Sequence, residues 1–573
     1  MFHIDKFEFN TTTSSQVSQL RHDKNNVGLN WPIVYVINND KEAYIGETVN
    51  ASRRIEQHLQ SEQRQKLTEI RIISDGNFNK SVALDLESFL IKYMASDGKY
   101  VLQNGNNGIH DHEYFNKHEY RDEFRAIWNK LKKLGVVKNT IDEIENSEIY
   151  KYSPYKSLGD EQIEAVTSIL RLFAEHNDEP LTVIVRGGAG TGKTIVAVYL
   201  MKYLADINDP AWMDSSSFDD EVDMTDVFDV FMSDNIRQIK KIGLVVPQSS
   251  LQSSLKDVFN SVRLLDKSMV LTPAEVVDDY KKTGEPFDLL IVDEAHRLRC
   301  RYRGNVSHHP TIINRNKALG LDPRMGTELD WIMLCSRNQI LFRDELQTVR
   351  PCDLREEEFI NILKSHDREP KAQLALETQW RCKGGNDYIN YMRDILSCCA
   401  NGFKEIDNYD LKLYTDCHQM YEDIRKKNDE MDLCRMAAGF AWPWNRNNPE
   451  AYTINIQGYD YRWNRTTSNW ITTPTAPEEI GCIHTLQGYD LNYAGIIIGN
   501  DIKYDTVNKR IISDKTSYFD SLGKAGVADD PEGLRDYLCN IYLTLLTRGI
   551  RGTYIYICDD ALREYFSQYI KTE

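Results

Sequence analysis

The sequence predicts an α/β protein built mainly from parallel sheets, with one small α/β domain ahead of them. Three observations carry this. Apolar strand-like runs alternate with helix-spaced segments over most of the chain, as parallel sheets with crossover helices require. The strongest of these units, "LTVIVRGGAGTGKTIVAVYLMKYLA", is a strand, a Gly-rich loop and a helix in immediate succession. Well before it, "WPIVYVINNDKEAYIGETVNASRRIEQH" reads as a hairpin running into a helix that carries a tight set of polar side chains.

The 573 residues are 41% apolar and 27% charged; at about 100–200 residues per domain this amounts to about three to five domains. The longest apolar runs, such as Ala494–Gly499, are far too short to cross a bilayer. The opening residues Met1–Lys6 lack the basic and apolar pattern of a signal peptide. All eleven cysteines lie at or beyond Cys300 and none forms a C-x-x-C pair, as expected of reduced thiols in a cytoplasmic protein. The net charge of −18 argues against a surface that is basic everywhere, but not against a local basic groove. The acid is clustered: Asp206–Asp234 holds ten acidic residues and no Lys or Arg. Residues 205–239 therefore read as a solvated, partly disordered insert, with a mimic of a nucleic acid backbone as the sharper alternative.

In the hairpin stretch, Ile33–Ile37 is a β-rich run that ends in an Asn-Asn-Asp turn, and Tyr44-Ile45-Gly46 is the return strand. Gly46 is expected to end it, and Thr48 or Asn50 to cap the next helix. On that helix Arg54 and His58 are four apart and share a face. A second helix, "SVALDLESFLIKYM", has an apolar stripe of Ala83, Leu84, Leu90, Ile91 and Met94 with Glu87 in its midst. A carboxylate there is costly unless it is paired or bound to a metal. An Asn/Gly turn cluster follows and holds Asn104.

Tyr35, the Tyr44-Ile45-Gly46 triplet, Arg54, His58, Glu87 and Asn104 stand in the order and approximate spacing of a GIY-YIG nuclease domain, which this stretch resembles over residues 30–112. The resemblance implies that Glu87 holds one divalent metal, that Arg54 steadies the phosphate and that a Tyr helps activate the attacking water. One carboxylate with waters and phosphate oxygens suits Mg²⁺, with Mn²⁺ as a substitute, and a guanidinium suits a phosphate whose charge is building. The family's first glycine is replaced by Ile33. The bland alternative is a small α/β domain whose Arg, His and Glu serve only its surface. Residues 1–29 then form an extension. Residues 113–155 form a connector, with Phe124, Ile127, Trp128 and Leu131 at helical spacing and a polar linker after them.

The Gly-rich loop Gly187-Gly188-Ala189-Gly190-Thr191-Gly192-Lys193-Thr194 matches G-x-x-x-x-G-K-[ST] between a strand and a helix, the context the motif needs. Its backbone N–H groups are placed to cradle the phosphates of ATP. Lys193 should reach the β/γ-phosphates, and Thr194 should bind Mg²⁺. In "FDLLIVDEAHRL", a buried strand run ends at Asp293, suited to the Mg²⁺ shell, and Glu294, suited to activating water. His296 reads equally as a relay or as a helix cap. Gln162 lies upstream, where an adenine reader would sit. Asp344 and Gln347 end a later strand, placed to sense the γ-phosphate. Arg381, Gln487-Gly488, Arg548 and Arg551 follow in order, each beside a strand or helix signal.

This series resembles superfamily 1 helicases, most closely the DUF2075 ATPases allied to the helicase part of schlafen proteins. "RMAAGFAWPW" and "HTLQGYD" add to the match, although Asp490 stands where a Glu is usual. The resemblance covers residues 156–565. It implies two RecA-like domains, at 156–370 and 371–573, with ATP between them. Lys193, Thr194, Asp293, Glu294 and Gln347 would come from the first, and Arg381 and Arg548 from the second as charge stabilisers. The aromatic stretch "AWPWNRNNPEAYTINIQGYDYRWN" reads either as a base-stacking surface near Arg462 or as a packed insert.

Together these readings predict a cytoplasmic, ATP-dependent endonuclease that acts on nucleic acid, DNA ahead of RNA, and away from membranes. The architecture is similar to that of prokaryotic systems that defend against phage or plasmid DNA, where a second copy of the chain or a partner protein is expected. The alternatives are a nucleotide-gated sensor or scaffold that does not cut, and an ATP-regulated ribonuclease. The short stretch between Lys193 and Asp293 leaves little room for the extra subdomains of processive helicases.

Overall fold

The computed structural model describes residues 2–22, 25–104, 114–175, 179–209, 233–300, 310–344, 353–380, 382–445, 448, 450–466, 470–486, 489–524 and 529–573. The chain divides into two compact units. The first comprises Met1–Glu179, Thr194–Leu244 and Ser253–Val270; the second comprises Pro180–Lys193, Val245–Gln252 and Leu271–Glu573.

The first unit opens with a five-stranded sheet of β1 (His3–Glu8), β2 (Ile33–Asn38), β3 (Glu42–Thr48), β4 (Glu69–Ser74) and β5 (Val101–Leu102), in the order β1-β4-β2-β3-β5. The hairpin forms as the sequence predicts, with Tyr35 opposite Gly46. Two expectations shift. The return strand continues past Gly46 to Thr48. The supposed N-terminal extension belongs to the sheet, since β1 pairs antiparallel with β4 along its whole length. Its charged residues among only two apolar ones, Ile4 and Phe7, suit an edge strand.

Helix α1 (Thr13–Val17) and helix α2 (Ala51–Gln60) cover one face, where Tyr35, Ile37, Ile55, Ile70 and Ile72 share a core. Of the two candidate caps, Asn50 is the one used: its Oδ1 accepts the Arg53 N–H at 3.1 Å. Helix α3 (Lys80–Asp97) packs against β2 and β3 with Val82, Ala83, Leu86 and Leu90 buried, and is capped by Asn79. Helix α4 (Lys117–Lys133) is the predicted connector helix. It docks on α3: the Phe124 ring lies 5.5 Å from that of Phe89, and Trp128 lies 5.8 Å from Tyr93. The turn after α4 is anchored as well, because the Asp97 carboxylate accepts the N–H groups of Lys138 and Asn139. The connector is thus part of the small domain.

Beyond the five-stranded sheet the chain carries two parallel sheets. One has the order β11-β6-β10-β9-β7-β8, from β6 (Thr182–Gly187), β7 (Ile242–Val245), β8 (Val270–Leu271), β9 (Phe287–Val292), β10 (Ser336–Arg343) and β11 (Ala372–Leu376). β10 lies parallel between β6 and β9, and β11 runs parallel to β6. The boundary expected at 370 therefore falls short, since Ala372–Leu376 completes this sheet. The other sheet has the order β12-β20-β17-β13-β16, from β12 (Asp410–Tyr414), β13 (Cys434–Ala438), β16 (Ile480–Cys482), β17 (Leu491–Ile498) and β20 (Gly549–Ile557), with every pair parallel. Near-continuous apolar runs such as Ile496–Ile498 are what a strand covered on both faces requires. Two hairpins, β14 (Tyr452–Ile456) with β15 (Tyr459–Arg462) and β18 (Ile502–Asp505) with β19 (Arg510–Ser513), stand beside it.

The acidic insert lies mostly outside the described residues, but its first two carboxylates do not fit a solvated run. Asp206 is buried against Lys202, and Asp209 is paired with Arg263. The aromatic stretch divides: Tyr461 and Trp463 are core, whereas Tyr452 and Tyr459 are exposed. Among the described residues, no helix is long and apolar enough to cross a membrane.

Candidate active sites

The first site grows from the hairpin. Tyr35 on β2 lies across Gly46 on β3; a Cβ built on Gly46 would sit 2.2 Å from the Tyr35 hydroxyl. Glycine at this position is therefore a packing requirement, and it lets the phenol reach helix α2. There the Tyr35 hydroxyl lies 2.7 Å from His58 Nε2, and Arg54 Nε donates to the same oxygen at 3.4 Å. The four-residue spacing seen in the sequence puts both cation-type side chains on one phenol. Tyr44 completes the cluster, its ring 5.0 Å from His58 in an edge-on arrangement and 6.2 Å from Tyr35.

Electrostatics assign protonation states. Burial, helped by the charges of Arg54 and Arg64, pushes the His58 pKa down to about 2, so its ring is neutral. Burial, with Tyr44 beside it, raises Tyr35 well above the ordinary phenol value; Arg54 pulls the other way and Glu87 adds to the rise. The imidazole is then neutral and Tyr35 a phenol, so the site at rest holds no phenolate. Tyr35 can accept a proton from water only as it passes its own to His58. Glu87 sits half-buried on α3, close enough for its charge to reach the Tyr35 phenol. Among the described residues, no three His, Cys, Asp or Glu side chains converge on a metal-sized point. A cation at Glu87 would thus take its remaining ligands from water and phosphate, which suits a hard ion.

Asn104 braces the hairpin. Its Oδ1 accepts the Ile45 N–H at 3.1 Å and its Nδ2 donates to the Ile45 carbonyl at 2.8 Å, so it extends β5 and clamps the Tyr44-Ile45-Gly46 triplet. Sequence reasoning missed Arg64. This arginine is 6% exposed, its guanidinium lies 3.8 Å from the centre of the Tyr44 ring, and it donates to Gln103. A lone Arg in "SEQRQK" gave no signal.

The second site is made mostly of backbone. β6 delivers Gly187, and Gly190 and Gly192 adopt φ of 81° and 86°, left-handed conformations of the kind that anion-binding loops use. Lys193, which opens helix α8 (Lys193–Ile207), folds its ammonium back onto the loop carbonyls of Gly187 and Gly188 at 2.7 and 2.8 Å. Asp344, at the end of β10, lies 3.7 Å from the same nitrogen. Asp293 and Glu294 follow β9, and Glu294 takes a left-handed φ of 52°, with its carboxylate on Arg297 Nε at 2.7 Å. Burial opposes its charge, but His296 and Arg297 outweigh that and hold the carboxyl well below its usual range. His296 decides between its two readings. Fully buried, it accepts the Asp344 N–H on Nδ1 at 3.1 Å and brings Nε2 to 3.3 Å from Glu294. It joins the ends of β9 and β10 and caps no helix.

Residues 180–559 match the schlafen group 3 DNA/RNA helicase domain, and residues 32–100 match the GIY-YIG catalytic domain. The chain belongs to the schlafen group 3 helicase family. It joins that helicase domain to a GIY-YIG nuclease domain, so it is a nucleic acid-processing enzyme with a nuclease part and a nucleotide-using part. An uncharacterized protein of Saccharomyces cerevisiae, YPL245W, is 26% identical over 420 residues, which span 67% of this chain and 83% of the yeast protein. Among solved structures, a Bacteroides Pif1 helicase in complex with ADP-AlF3 and ssDNA is 13% identical, covering 70% of this chain and 92% of that one at a TM-score of 0.28. The Candida albicans Pif1 helicase is 10% identical, covering 72% and 98% at a TM-score of 0.29.

In this schlafen-type helicase, several expected nucleotide contacts, Gln347, Arg381, Gln487 and Gly488, lie outside the described residues. Arg548 is placed otherwise than expected. It is 2% exposed, and its guanidinium donates to the Thr544 and Tyr489 carbonyls, bracing the helix Pro531–Leu546 against the start of β17. A role at the nucleotide would require it to leave both. Gln162 is also engaged, its Oε1 accepting the Gly159 N–H at 3.1 Å. The segment before Arg381 supplies what the sequence reading passed over. Trp380 N–H donates to Gly190 O at 3.0 Å, the Gln379 amide donates to Ala189 O, and the Trp380 ring is 57% exposed beside the loop. An aromatic face next to a phosphate loop offers a flat partner for a base.

Proposed function

We propose that this chain is an ATP-regulated, metal-dependent endonuclease of DNA. The observation that carries the reading is the convergence of Arg54, His58 and Tyr35 on one phenolic oxygen, with the Glu87 carboxylate at hand. In the reading, a water approaching the phosphate gives its proton to Tyr35 as Tyr35 gives its own to His58. The tautomer follows, since His58 Nε2 must arrive unprotonated. Arg54, already at the phenol, is placed to take a nonbridging oxygen as negative charge builds. A divalent ion held by Glu87, Mg²⁺ or Mn²⁺, would supply further charge at the phosphate.

At the second site, ATP would draw Lys193 off the Gly187 and Gly188 carbonyls onto its phosphates, with Thr194 and Asp293 suited to the accompanying Mg²⁺. Glu294, kept ionised by His296 and Arg297, is suited to align the attacking water. Trp380 and Gln162 are the groups proposed for the base. The preference for DNA over RNA and a role in defence against foreign DNA rest on likeness of architecture alone.

Plasmid nicking tests the reading. The full chain should nick with Mg²⁺ or Mn²⁺ and not with EDTA, and Glu87→Gln should nick about 10² more slowly with either metal. Absence of cutting on every DNA substrate, from protein that hydrolyses ATP, would favour a nucleotide-gated sensor; cutting of RNA alone would make it a ribonuclease.

A further inference from the structure

Within the first unit, the helix that leaves the phosphate loop lies against the small domain. Lys202 and Asp206, four apart on α8, form an ion pair; Lys202 is fully buried and Asp206 is 3% exposed. An ion pair this deep is a poor stabiliser, since a packed apolar pair of the same volume usually does as well or better. It does, however, fix geometry. The Lys202 ammonium stands 5.8 Å from the centre of the Tyr155 ring, within reach of a cation–π contact. Tyr155 is 1% exposed, and its hydroxyl donates to the main-chain carbonyl of Asn104 at 3.2 Å. Asn104 in turn holds Ile45 by both its N–H and its carbonyl. Ile45 stands between Tyr44 and the Gly46 over which Tyr35 lies. Burial raises the Tyr155 pKa and the Asp206 charge raises it further, so the ion pair and the phenol feel each other.

A second arm runs in parallel. Asp209, just past the end of α8, pairs with Arg263, and the Arg263 charge helps burial lower the pKa of Arg64, the guanidinium stacked on Tyr44. One arm starts on α8 and the other just past its end, and both reach the Tyr44-Ile45-Gly46 triplet.

We propose that Tyr155 is a positioning residue of the nuclease site, through which the P-loop helix sets the Tyr44-Ile45-Gly46 triplet according to the nucleotide bound. The inference rests on the nuclease and ATPase reading above and names the route between the two sites. Phosphate binding draws Lys193 to a new partner at the first residue of α8. Any shift of that helix carries Lys202, and with it the Tyr155 ring and the Asn104 carbonyl. The coupling equals the difference in nucleotide affinity between the two settings of this chain of contacts.

The test uses the full chain, Tyr155→Phe, which removes only the hydroxyl, and the double variant Lys202→Met/Asp206→Leu, which keeps the volume. Amide hydrogen exchange across 43–48 and 101–104 is measured without nucleotide, with ATP and with a non-hydrolysable analogue, alongside ATP turnover and DNA cleavage. In the parent, nucleotide should change exchange in both segments and change the cleavage rate by about fivefold or more. In both variants that response should vanish while ATP turnover persists. A full nucleotide response in Tyr155→Phe overturns the proposal, as does parent protein that hydrolyses ATP with no change in exchange at 43–48. Should nothing be cut while exchange still responds in the parent and not in the variants, the nuclease reading falls and the coupling stands.

Discussion

The two phosphate-handling sites of this chain are built from different material. At the nuclease site, side chains do the work: a phenol, an imidazole and a guanidinium meet at one oxygen, and the backbone only has to bring them close. At the ATP site, the backbone is the main material: two left-handed glycines shape the loop, and its single lysine folds onto carbonyls of that loop. A side-chain site fails piece by piece as its members are removed. A backbone site tolerates side-chain changes until one removes the charge that the loop cannot supply.

That contrast sets the largest expected effect. Lys193→Ala should lower ATP turnover by about 10³, near the top of the range for loss of one charge stabiliser in a preorganised site. Thr191→Ser, which leaves the loop backbone alone, should stay close to the parent. A coupled ATPase assay decides; equal losses in the two variants would break the contrast. At the nuclease site, Glu87→Gln and Arg54→Ala should each lower cutting by about 10², with ATP turnover unchanged. Gel quantitation of nicked plasmid measures this. If one of them cuts like the parent, the side chains do not form a working set.

The same contrast explains what the sequence made legible. The GIY-YIG set was readable because Tyr35, Arg54 and His58 are chemically distinctive and sit on elements whose periodicity is plain. The P-loop was readable from its glycines. The parallel sheets followed from the alternation of apolar strand runs with helices. What escaped was long-range pairing. Nothing in "SEQRQK" says that Arg64 stacks on Tyr44, and nothing in "SPYKSL" says that Tyr155 reaches Asn104. The edge strand β1 looked like an extension because its mixed burial hides its partner, β4. Phe124 and Trp128 announced a docking face, but not that α3 was the dock. Arg548 looked like a nucleotide contact by position, whereas two carbonyls inside its own domain hold it.

A smaller effect concerns Gly46, where the backbone of the nuclease site does matter. Its Cβ position is filled by Tyr35, so Gly46→Ala must displace the phenol or part the hairpin, at a cost of about 1–3 kcal/mol. Thermal or urea unfolding followed in the nuclease domain should show that loss, and cutting should fall with it because the phenol moves off His58. Ala at Gly188, where a Cβ meets nothing within 4 Å, is the control and should be close to neutral for stability. If Gly46→Ala is as stable as the parent, the Tyr35 placement is wrong.

The smallest effect sharpens the comparison through pH. His58 is held neutral in the folded chain, its pKa pushed down to about 2 by burial and by the nearby Arg54 and Arg64 cations. In the unfolded chain it titrates at the ordinary value of about 6.5. Above that value neither state binds the proton, and stability is at its full level. Below it the unfolded state takes up a proton that the folded state refuses. Stability therefore falls with falling pH, by about 1.4 kcal/mol for each unit below 6.5 at most. The loss continues down to the folded pKa, but carboxylates join in below about pH 5, so the useful window is pH 7.5 to 5.5. Over that window the nuclease domain should lose about 1.4 kcal/mol from this one residue. The measurement is the unfolding midpoint of the nuclease domain at the two pH values and constant salt, in the parent and in His58→Gln, which cannot take up the proton. The pH-dependent part of the difference between them belongs to His58, because the other histidines are shared. An identical pH slope in both proteins would mean that His58 is solvated and protonatable when folded. The buried Tyr35–His58 contact, and the neutral imidazole that follows from it, would then be wrong.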